Sequence, residues 1–279
     1  MTKKRRDRRR QVLLWLAVVA IMLFCLFPFY WLINTSLKTG PDLSSAKLIP
    51  PNPSLDNYSS IFEDSDFTTA LRNSVIVSSA VTVLALLFGS LAAYALARLR
   101  FRGKFILLAI ILSITTFPPI AIAAPIFKLW TDLDIYDTLW GLIPPFLAFT
   151  LPLTIYILAS FFREIPRDLA EAALVDGATH WQAYRKVVLP LAAPGLVTAG
   201  LLAFIWAWNE FLLAITLTTS PEARPVPAAL AFFTGSQKFE VPLGTITAAT
   251  VVITVPLVIL VLVFQKRIVA GLTAGAVKG

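Results

Sequence analysis

The stretch that decides the fold covers residues 171–178 and reads Glu-Ala-Ala-Leu-Val-Asp-Gly-Ala. Helix-forming residues run over 168–175, and Gly177 can adopt the left-handed backbone conformation that commonly ends an α-helix. Thr179 and Gln182 then have the spacing of a capping box, which predicts that a second helix begins there. The pattern predicts a polar helix–turn–helix, which we call the elbow, and long apolar segments lie on both sides of it.

The remainder of the chain has the composition of an integral membrane protein. Its mean hydropathy is +0.77, and only 14% of its residues are charged, against about 25% in soluble domains. A helix needs roughly 20 apolar residues to cross the hydrocarbon core, and it satisfies its own backbone hydrogen bonds there. We therefore predict an all-α integral membrane fold with six transmembrane helices, at about 12–34, 73–97, 105–127, 138–162, 190–215 and 241–265.

The basic residues predict the orientation of these spans. If the N-terminus is cytoplasmic, the inside segments are 1–11, 98–104, 163–186 and 266–279, and they hold 18 of the 24 Lys and Arg residues. The outside segments hold 10 of the 16 acidic residues. Lys and Arg concentrate in short cytoplasmic segments of membrane proteins. Both termini, the elbow (163–189) and the C-terminal tail (266–279) are therefore expected in the cytoplasm.

The net charge of +8 does not by itself indicate nucleic-acid binding. Seven basic residues lie within 3–10, directly before the first span, where a topology anchor near anionic headgroups is the simple interpretation. A nucleic-acid-binding tail is the alternative. The sequence contains no Gly-rich phosphate loop, no metal-ligand cluster and no nucleophile–base arrangement. We therefore expect no cofactor, metal or catalytic residue on this chain.

One carboxyl group lies inside an apolar segment. Glu210 follows Trp208 and Asn209 in the outer half of the fifth predicted span. Intramembrane carboxylates are functional candidates by default, and Trp faces suit sugar rings, so these three residues are a candidate part of a translocation path. The alternative is that Trp206 and Trp208 belong to the aromatic belt at the membrane surface, while Glu210 bonds a neighbouring helix.

Proline residues interrupt four of the predicted spans. Each frees a backbone carbonyl that neighbouring helices, hydroxyl groups or water must satisfy. Kinked helices around a shared cavity would suit a translocation path, although membrane helices are in general richer in proline than soluble ones. The residues concerned are Pro118, Pro119, Pro125, Pro144, Pro145, Pro152, Pro190, Pro194 and Pro256.

The elbow resembles the EAA loop of permease subunits in bacterial ATP-binding-cassette importers, through Glu171-Ala172-Ala173, Asp176-Gly177-Ala178 and Leu189-Pro190. The resemblance to the carbohydrate-uptake branch, which includes maltose and actinobacterial trehalose importers, extends over nearly the whole chain. The supporting segments are Arg72–Ser74, Ala92–Ala95, Phe161–Pro166, Trp208–Phe211 and Gly271–Gly279.

This resemblance implies a type I importer permease in the bacterial cell (inner) membrane. It implies a second permease subunit, two ATPase subunits that hold ATP and Mg, and an extracellular sugar-binding lipoprotein as partners. The elbow would couple this non-catalytic chain to the ATPase, as would the tail residues Gly271, Thr273, Gly275 and Lys278. A disaccharide such as trehalose or maltose is the expected substrate. Another oligosaccharide or glycerol-phosphate is an alternative, and a secondary transporter would have only Glu210 for ion coupling.

Overall fold

The computed structural model describes the backbone of residues 3–233 and 242–274 and the side chains of 10–233 and 242–265. Within these residues the chain is helical and contains no strand. The helices are α1 Lys3–Ser36, α2 Asp56–Glu63, α3 Ser65–Arg98, α4 Lys104–Ser113, α5 Pro119–Asp132, α6 Leu139–Glu164, α7 Arg167–Val175, α8 His180–Ala183, α9 Leu189–Leu191, α10 Ala193–Asn209, α11 Leu212–Leu217, α12 Val226–Ala231 and α13 Leu243–Ala274.

Four helical stretches in the described chain are long and apolar enough to cross a membrane: Arg10–Ser36, Ser65–Arg98, Leu139–Glu164 and Leu243–Gln265. Two further pairs of helical segments pass the same test together, but each pair is bent, by 88° and 76°. If each bent pair is one span, the number rises to six. The all-α membrane architecture is confirmed, and two of the predicted spans are broken helices.

The first bend divides the predicted span 105–127. Phe117 and Pro118 both have extended backbones, with ψ angles of 128° and 124°, because each precedes a proline whose ring disfavours the helical conformation. By contrast, α5 continues through Pro125, α6 through Pro152 and α13 through Pro256. The proline pair at 118–119 therefore breaks a helix, whereas these three prolines do not interrupt theirs.

The second bend, at Ala192, and an extended residue at Glu210 divide the predicted span 190–215 into three pieces. The predicted spans 12–34, 73–97 and 138–162 lie within α1, α3 and α6, except that α6 begins one residue later, at Leu139. Helix α13 begins at Leu243 and continues beyond 265 to Ala274. The start of the sixth predicted span, residue 241, lies outside the described residues.

The chain divides into two compact units, one formed by Met1–Asp64 with Phe233–Thr254 and one by Ser65–Phe232 with Val255–Gly279. In the first unit, the Lys38 ammonium is buried and donates to the backbone carbonyls of Ser45 and Lys47 at 2.9 and 3.0 Å. The Asn57 amide donates to the carbonyls of Ser36 and Lys38, both at 2.8 Å. These bonds hold the connection between α1 and α2 against the end of α1.

The second unit is built on α3, α6 and α10, which approach one another closely at glycines. A Cβ on Gly89 of α3 would lie 2.8 Å from the Thr154 side chain of α6. A Cβ on Gly195 of α10 would lie 2.5 Å from the Phe161 ring, also on α6. Small residues at such crossings are typical of membrane helix bundles, where van der Waals packing drives association.

The turn between α5 and α6 shows how one helix satisfies a carbonyl that proline frees in another. In α6, Pro145 has no N–H for the Gly141 carbonyl, and the Trp130 indole of α5 donates to that carbonyl instead, at 2.6 Å. Thr138 caps the start of α6 by accepting from the Gly141 N–H at 3.1 Å. A Cβ on Gly141 would lie only 2.4 Å from the Ile135 carbonyl oxygen.

Replacement of Gly141 by alanine is therefore expected to destabilise the protein by about 1–3 kcal/mol, because the added methyl group overpacks the turn. The thermal unfolding midpoint of the detergent-solubilised protein measures this change. Ala148→Val, which adds carbon atoms to an exposed position of α6, is the matched control and should leave the midpoint near the wild-type value. An unchanged midpoint for Gly141→Ala would contradict the close approach.

Candidate functional site

The first helix of the elbow ends as the sequence predicts. Helix α7 stops at Val175, and Gly177 has a φ angle of +87°. The Ala178 N–H donates to the Ala173 carbonyl at 2.9 Å and the Gly177 N–H to the Leu174 carbonyl at 3.1 Å. This pair of bonds is the Schellman arrangement, which satisfies carbonyls left open at a helix C-terminus. Open space surrounds the position of a Gly177 Cβ, so backbone conformation alone requires glycine.

The second helix of the elbow begins at the predicted capping box. The Gln182 N–H donates to Thr179 Oγ1 at 3.2 Å, and the Thr179 N–H donates to Gln182 Oε1 at 2.8 Å. Helix α8 then passes into a π-helical turn over Tyr184–Val188, which the sequence reasoning did not predict. Pro190 lacks the N–H that the Lys186 carbonyl would accept in an α-helix, and the wider turn avoids this missing bond.

Two polar contacts attach the elbow to α3. The Tyr184 and Ser90 hydroxyls are 2.8 Å apart in a buried site, and the Tyr184 ring meets Tyr94 edge-on at 4.9 Å between centroids. Where the chain leaves α6 for the elbow, Arg98 at the end of α3 donates to the Ile165 carbonyl at 2.7 Å. The elbow is thus held at its start and at its second helix. No local sequence pattern predicts the contact between Tyr184 and Ser90 or the one between Arg98 and Ile165.

The other side of the elbow is exposed and partly apolar. Val175 and Trp181 are 88% and 56% exposed. An ordered helix–turn–helix that exposes large apolar side chains beside charged ones is typical of a protein-binding surface. Among the predicted coupling residues, Glu171, Ala172, Asp176, Gly177 and Pro190 are exposed, whereas Ala173, Ala178 and Leu189 are half-buried.

Glu210 lies at a break between helices. Helix α10 ends at Asn209, and the extended backbone of Glu210 (ψ 123°) separates it from α11. The Glu210 carboxylate accepts from the Leu213 and Ala214 backbone N–H groups, both at 3.0 Å. It therefore satisfies donors at the start of α11 that an apolar environment would otherwise leave unpaired. Glu210 thus bonds the next helical segment of its own predicted span, and not a separate helix of the bundle.

Trp208 and Asn209 differ from each other in accessibility. Trp208 is 1% exposed and stacks on Phe204 at 5.5 Å, so in this conformation its ring reaches neither lipid nor a solute. The interpretation of Trp208 as a belt residue is therefore wrong. Asn209 is exposed and donates to the Ile205 carbonyl of its own helix at 2.7 Å. Trp206 is partly buried and stacks on Phe149 at 5.9 Å.

The N-terminal third of α3 holds a second cluster of polar contacts, around the segment between α11 and α12. The Asn73 amide donates to the carbonyls of Glu222 and Arg224 at 2.8 and 3.1 Å. The Val226 N–H, at the start of α12, donates to Ser74 Oγ at 2.8 Å. Asn73 and Ser74 are both buried. Both residues belong to the Arg72–Ser74 motif of the family resemblance, and no local sequence pattern predicts their contacts.

Asp137 fixes the beginning of the same segment. Its carboxylate accepts from the Thr219 and Ser220 N–H groups, with closest distances of 2.7 and 3.0 Å. Its own backbone is left-handed, at φ 56°, a conformation that Asp tolerates better than most residues. Burial alone raises the pKa of the Asp137 carboxyl, but these hydrogen bonds and the charge of Arg224 outweigh burial and hold the pKa below its ordinary value.

The C-terminal tail is described only in part. Gly271 and Thr273 belong to the helical backbone of α13, and their side chains lie outside the described residues. Gly275 and Lys278 lie outside the described residues altogether. Their predicted contact with an ATPase therefore stays a prediction.

Comparison with known proteins places this geometry in a family. A family model described as "Binding-protein-dependent transport system inner membrane component" matches residues 85–273, which contain the elbow, α6 and α10. The chain belongs to this family. Members are permease subunits of ATP-binding-cassette transporters, and the catalytic hydrolysis of ATP takes place on a partner subunit.

Two relatives match nearly the full chain. The trehalose transport system permease protein SugB of Mycobacterium tuberculosis is 51% identical over 256 residues, which are 92% of this chain and 93% of that protein. The trehalose/maltose transport system permease protein MalG of Thermococcus litoralis is 40% identical over 277 residues, 99% of each chain.

A solved structure shares the fold. A chain of a bacterial ABC transporter involved in the import of the acidic polysaccharide alginate superposes with a TM-score of 0.82 and is 25% identical. The match covers 95% of this chain and 98% of that one. The type I permease fold is thereby confirmed.

Removal of the Glu210 carboxylate is expected to lower the stability of the protein. Glu210→Ala leaves the buried N–H groups of Leu213 and Ala214 unpaired, at a cost of about 1–3 kcal/mol for each. Glu210→Gln keeps one acceptor oxygen and should have an intermediate effect. The thermal unfolding midpoint of the purified protein measures both. Asn209→Ala, next to it in sequence and exposed, serves as the control, and a Glu210→Ala midpoint equal to the control's would contradict the capping role.

Proposed function

We propose that this chain is the transmembrane permease subunit of an ATP-binding-cassette importer that carries a sugar into the bacterial cell. The observation that carries the proposal is the elbow. The Gly177 turn and the Thr179–Gln182 capping box give it a defined shape, Tyr184 and Arg98 attach it to α3, and its outer side is exposed. A lever needs these three properties if it is to transmit the movement of one subunit to another.

In this proposal the elbow (163–189) binds a cytoplasmic ATPase subunit, with Glu171, Asp176 and Gly177 on the binding side. Closure of the ATPase dimer on ATP and Mg would move the elbow and switch the bundle between inward-facing and outward-facing states. The tail (266–279) would meet the same ATPase subunits. Support for the tail comes from resemblance to the family, while support for the elbow also comes from its exposed apolar side chains.

The proposed topology has six spans with both termini in the cytoplasm of the cell that imports the sugar. The bent pairs 104–132 and 180–209 each count as one span in this topology. The asymmetric distribution of Lys and Arg supports the orientation. It places the elbow in the cytoplasm and the segment between α11 and α12 outside, where a sugar-binding lipoprotein would dock. A second permease subunit would complete the channel.

The expected substrate is a disaccharide of the trehalose or maltose type. The two relatives that match most of this chain are named for transport of trehalose or of trehalose and maltose, although another relative, 41% identical, is named for sulfoquinovosyl glycerol. Proton-coupled secondary transport has less support. The intramembrane carboxylate, Glu210, is engaged by two backbone N–H groups and caps a helix.

Uptake of labelled disaccharides, compared in cells with and without this chain, tests the proposal. Trehalose or maltose uptake should disappear without the chain and return when it is re-expressed. Uptake should also persist when the proton gradient is collapsed while ATP is maintained, because ATP hydrolysis supplies the energy. Uptake of every tested sugar at the wild-type rate without the chain would reject the substrate class. Loss of uptake on collapse of the gradient alone would favour a secondary transporter.

Two substitutions at Gly177 test the elbow as a lever. Gly177→Val forces a β-branched residue into the left-handed conformation, at a cost of about 1–2 kcal/mol or more, and should reduce import by misplacing the turn. Gly177→Asn is the matched control, because Asn tolerates this conformation and the site has open space for a side chain. Import by Gly177→Val at the Gly177→Asn rate, with equal amounts of both in the membrane, would show that the turn is not part of the lever.

A further inference from the structure

Helix α3 differs from the other three helices that can span a membrane by themselves. It runs over 34 residues, Ser65–Arg98, without a proline. Helices α1, α6 and α13 each contain at least one. A proline removes one intrahelical hydrogen bond and permits bending at that point. Helix α3 therefore loses no intrahelical hydrogen bond to proline, as a connection that transmits a displacement between its two ends requires.

Each end of this helix holds a different functional region. Near the C-terminal end, Ser90 and Arg98 bind the elbow through the Tyr184 hydroxyl and the Ile165 carbonyl. At the N-terminal end, Asn73 and Ser74 bind the segment between α11 and α12, which we call the 218–226 segment. Ser74 and Ser90 are 16 residues apart, which corresponds to about 24 Å along an α-helix. One continuous helix thus contacts the elbow and, about 24 Å away along its axis, the 218–226 segment.

The hydrogen bonds of Asn73 and Ser74 define the position of the 218–226 segment on α3. Asn73 uses both of its donors on two carbonyls two residues apart, at 2.8 and 3.1 Å. Ser74 accepts the N–H of Val226 at 2.8 Å in a buried site. Three directional bonds to the buried Asn73 and Ser74 side chains fix the 218–226 segment in one register on α3, and a register shift would leave these two side chains unpaired.

We propose that α3 is the rigid connection through which the elbow and the 218–226 segment change position together, with Asn73 and Ser74 as positioning residues for transport. The proposal rests on the proposed function, which places the elbow on the ATPase and the 218–226 segment on the side that receives the binding protein. Docking of a sugar-loaded binding protein then alters ATP hydrolysis through Ser74 and Asn73 at one end of α3 and through Ser90 and Tyr184 at the other.

The test uses the complete complex in lipid nanodiscs and measures ATP hydrolysis with and without sugar-loaded binding protein. Ser74→Ala removes one oxygen atom and should reduce the stimulation by binding protein about two- to tenfold, the effect of one lost hydrogen bond. Hydrolysis without binding protein should not change. The matched control is Thr82→Val on the same helix, since the Thr82 hydroxyl bonds the Ser78 carbonyl of α3 itself, and it should keep the wild-type stimulation.

A double variant distinguishes transmission of movement through α3 from a general loss of packing in the helix bundle. Tyr184→Phe removes only the hydroxyl that meets Ser90. If the two contacts act in series through α3, the Ser74→Ala/Tyr184→Phe complex should keep the same stimulation as whichever single variant has the lower stimulation. Independent contributions would multiply, so that two fivefold losses would give about a 25-fold loss.

Two results would overturn the role of α3 and leave the proposed function intact. The first is a Ser74→Ala complex whose ATP hydrolysis is stimulated by binding protein as strongly as that of the wild type. The second is a double variant in which the losses of stimulation of the two single variants multiply. A wild-type complex whose ATP hydrolysis does not respond to any sugar-loaded binding protein would contradict the proposed function, and this proposal with it.

Discussion

Backbone amides and carbonyls without partners are the main physical constraint on this chain, because a hydrocarbon environment offers them no hydrogen bonds. Where a helix is interrupted, groups at its new ends must be satisfied from within the protein. The chain meets this need with specific side chains. Glu210 accepts from two N–H groups at the start of α11, and Trp130 donates to the carbonyl that Pro145 frees. The positions of these polar side chains follow from the positions of the breaks.

The same requirement explains why polar residues in the apolar segments need not mark a solute path. Glu210 has the sequence signature of a functional carboxylate, yet the structure shows it engaged with the backbone. Asn73 and Ser74 are also buried and engaged, and their partners are the backbone groups of a distant segment. In both cases the side chain replaces a regular backbone hydrogen bond that the local geometry does not allow. Polar residues in a membrane bundle can therefore determine its shape without contacting the transported molecule.

The features that sequence predicted well are those decided by a few adjacent residues. The end of α7 at Gly177 and the capping box at Thr179 depend on local backbone energetics, and both appear where expected. Long helices follow from long apolar runs, and four helices of the described chain are long and apolar enough to cross a membrane. The break at Glu210 and the contact between Tyr184 and Ser90, 94 residues apart, depend on tertiary packing. No local pattern encodes them, because hydroxyl groups and carboxylates in apolar segments have many possible partners.

The distribution of proline distinguishes helices that are broken from helices that are continuous. The bent pair around Pro118-Pro119 and the interrupted chain from 180 to 217 can change shape where they are broken. Helix α3 has no such break, and at Gly89 it packs closely against Thr154 of α6. A bundle that alternates between two states needs flexible joints and a rigid element that sets how far they move together. Since α3 contacts both the elbow and the 218–226 segment, it is the described helix best placed to be that rigid element.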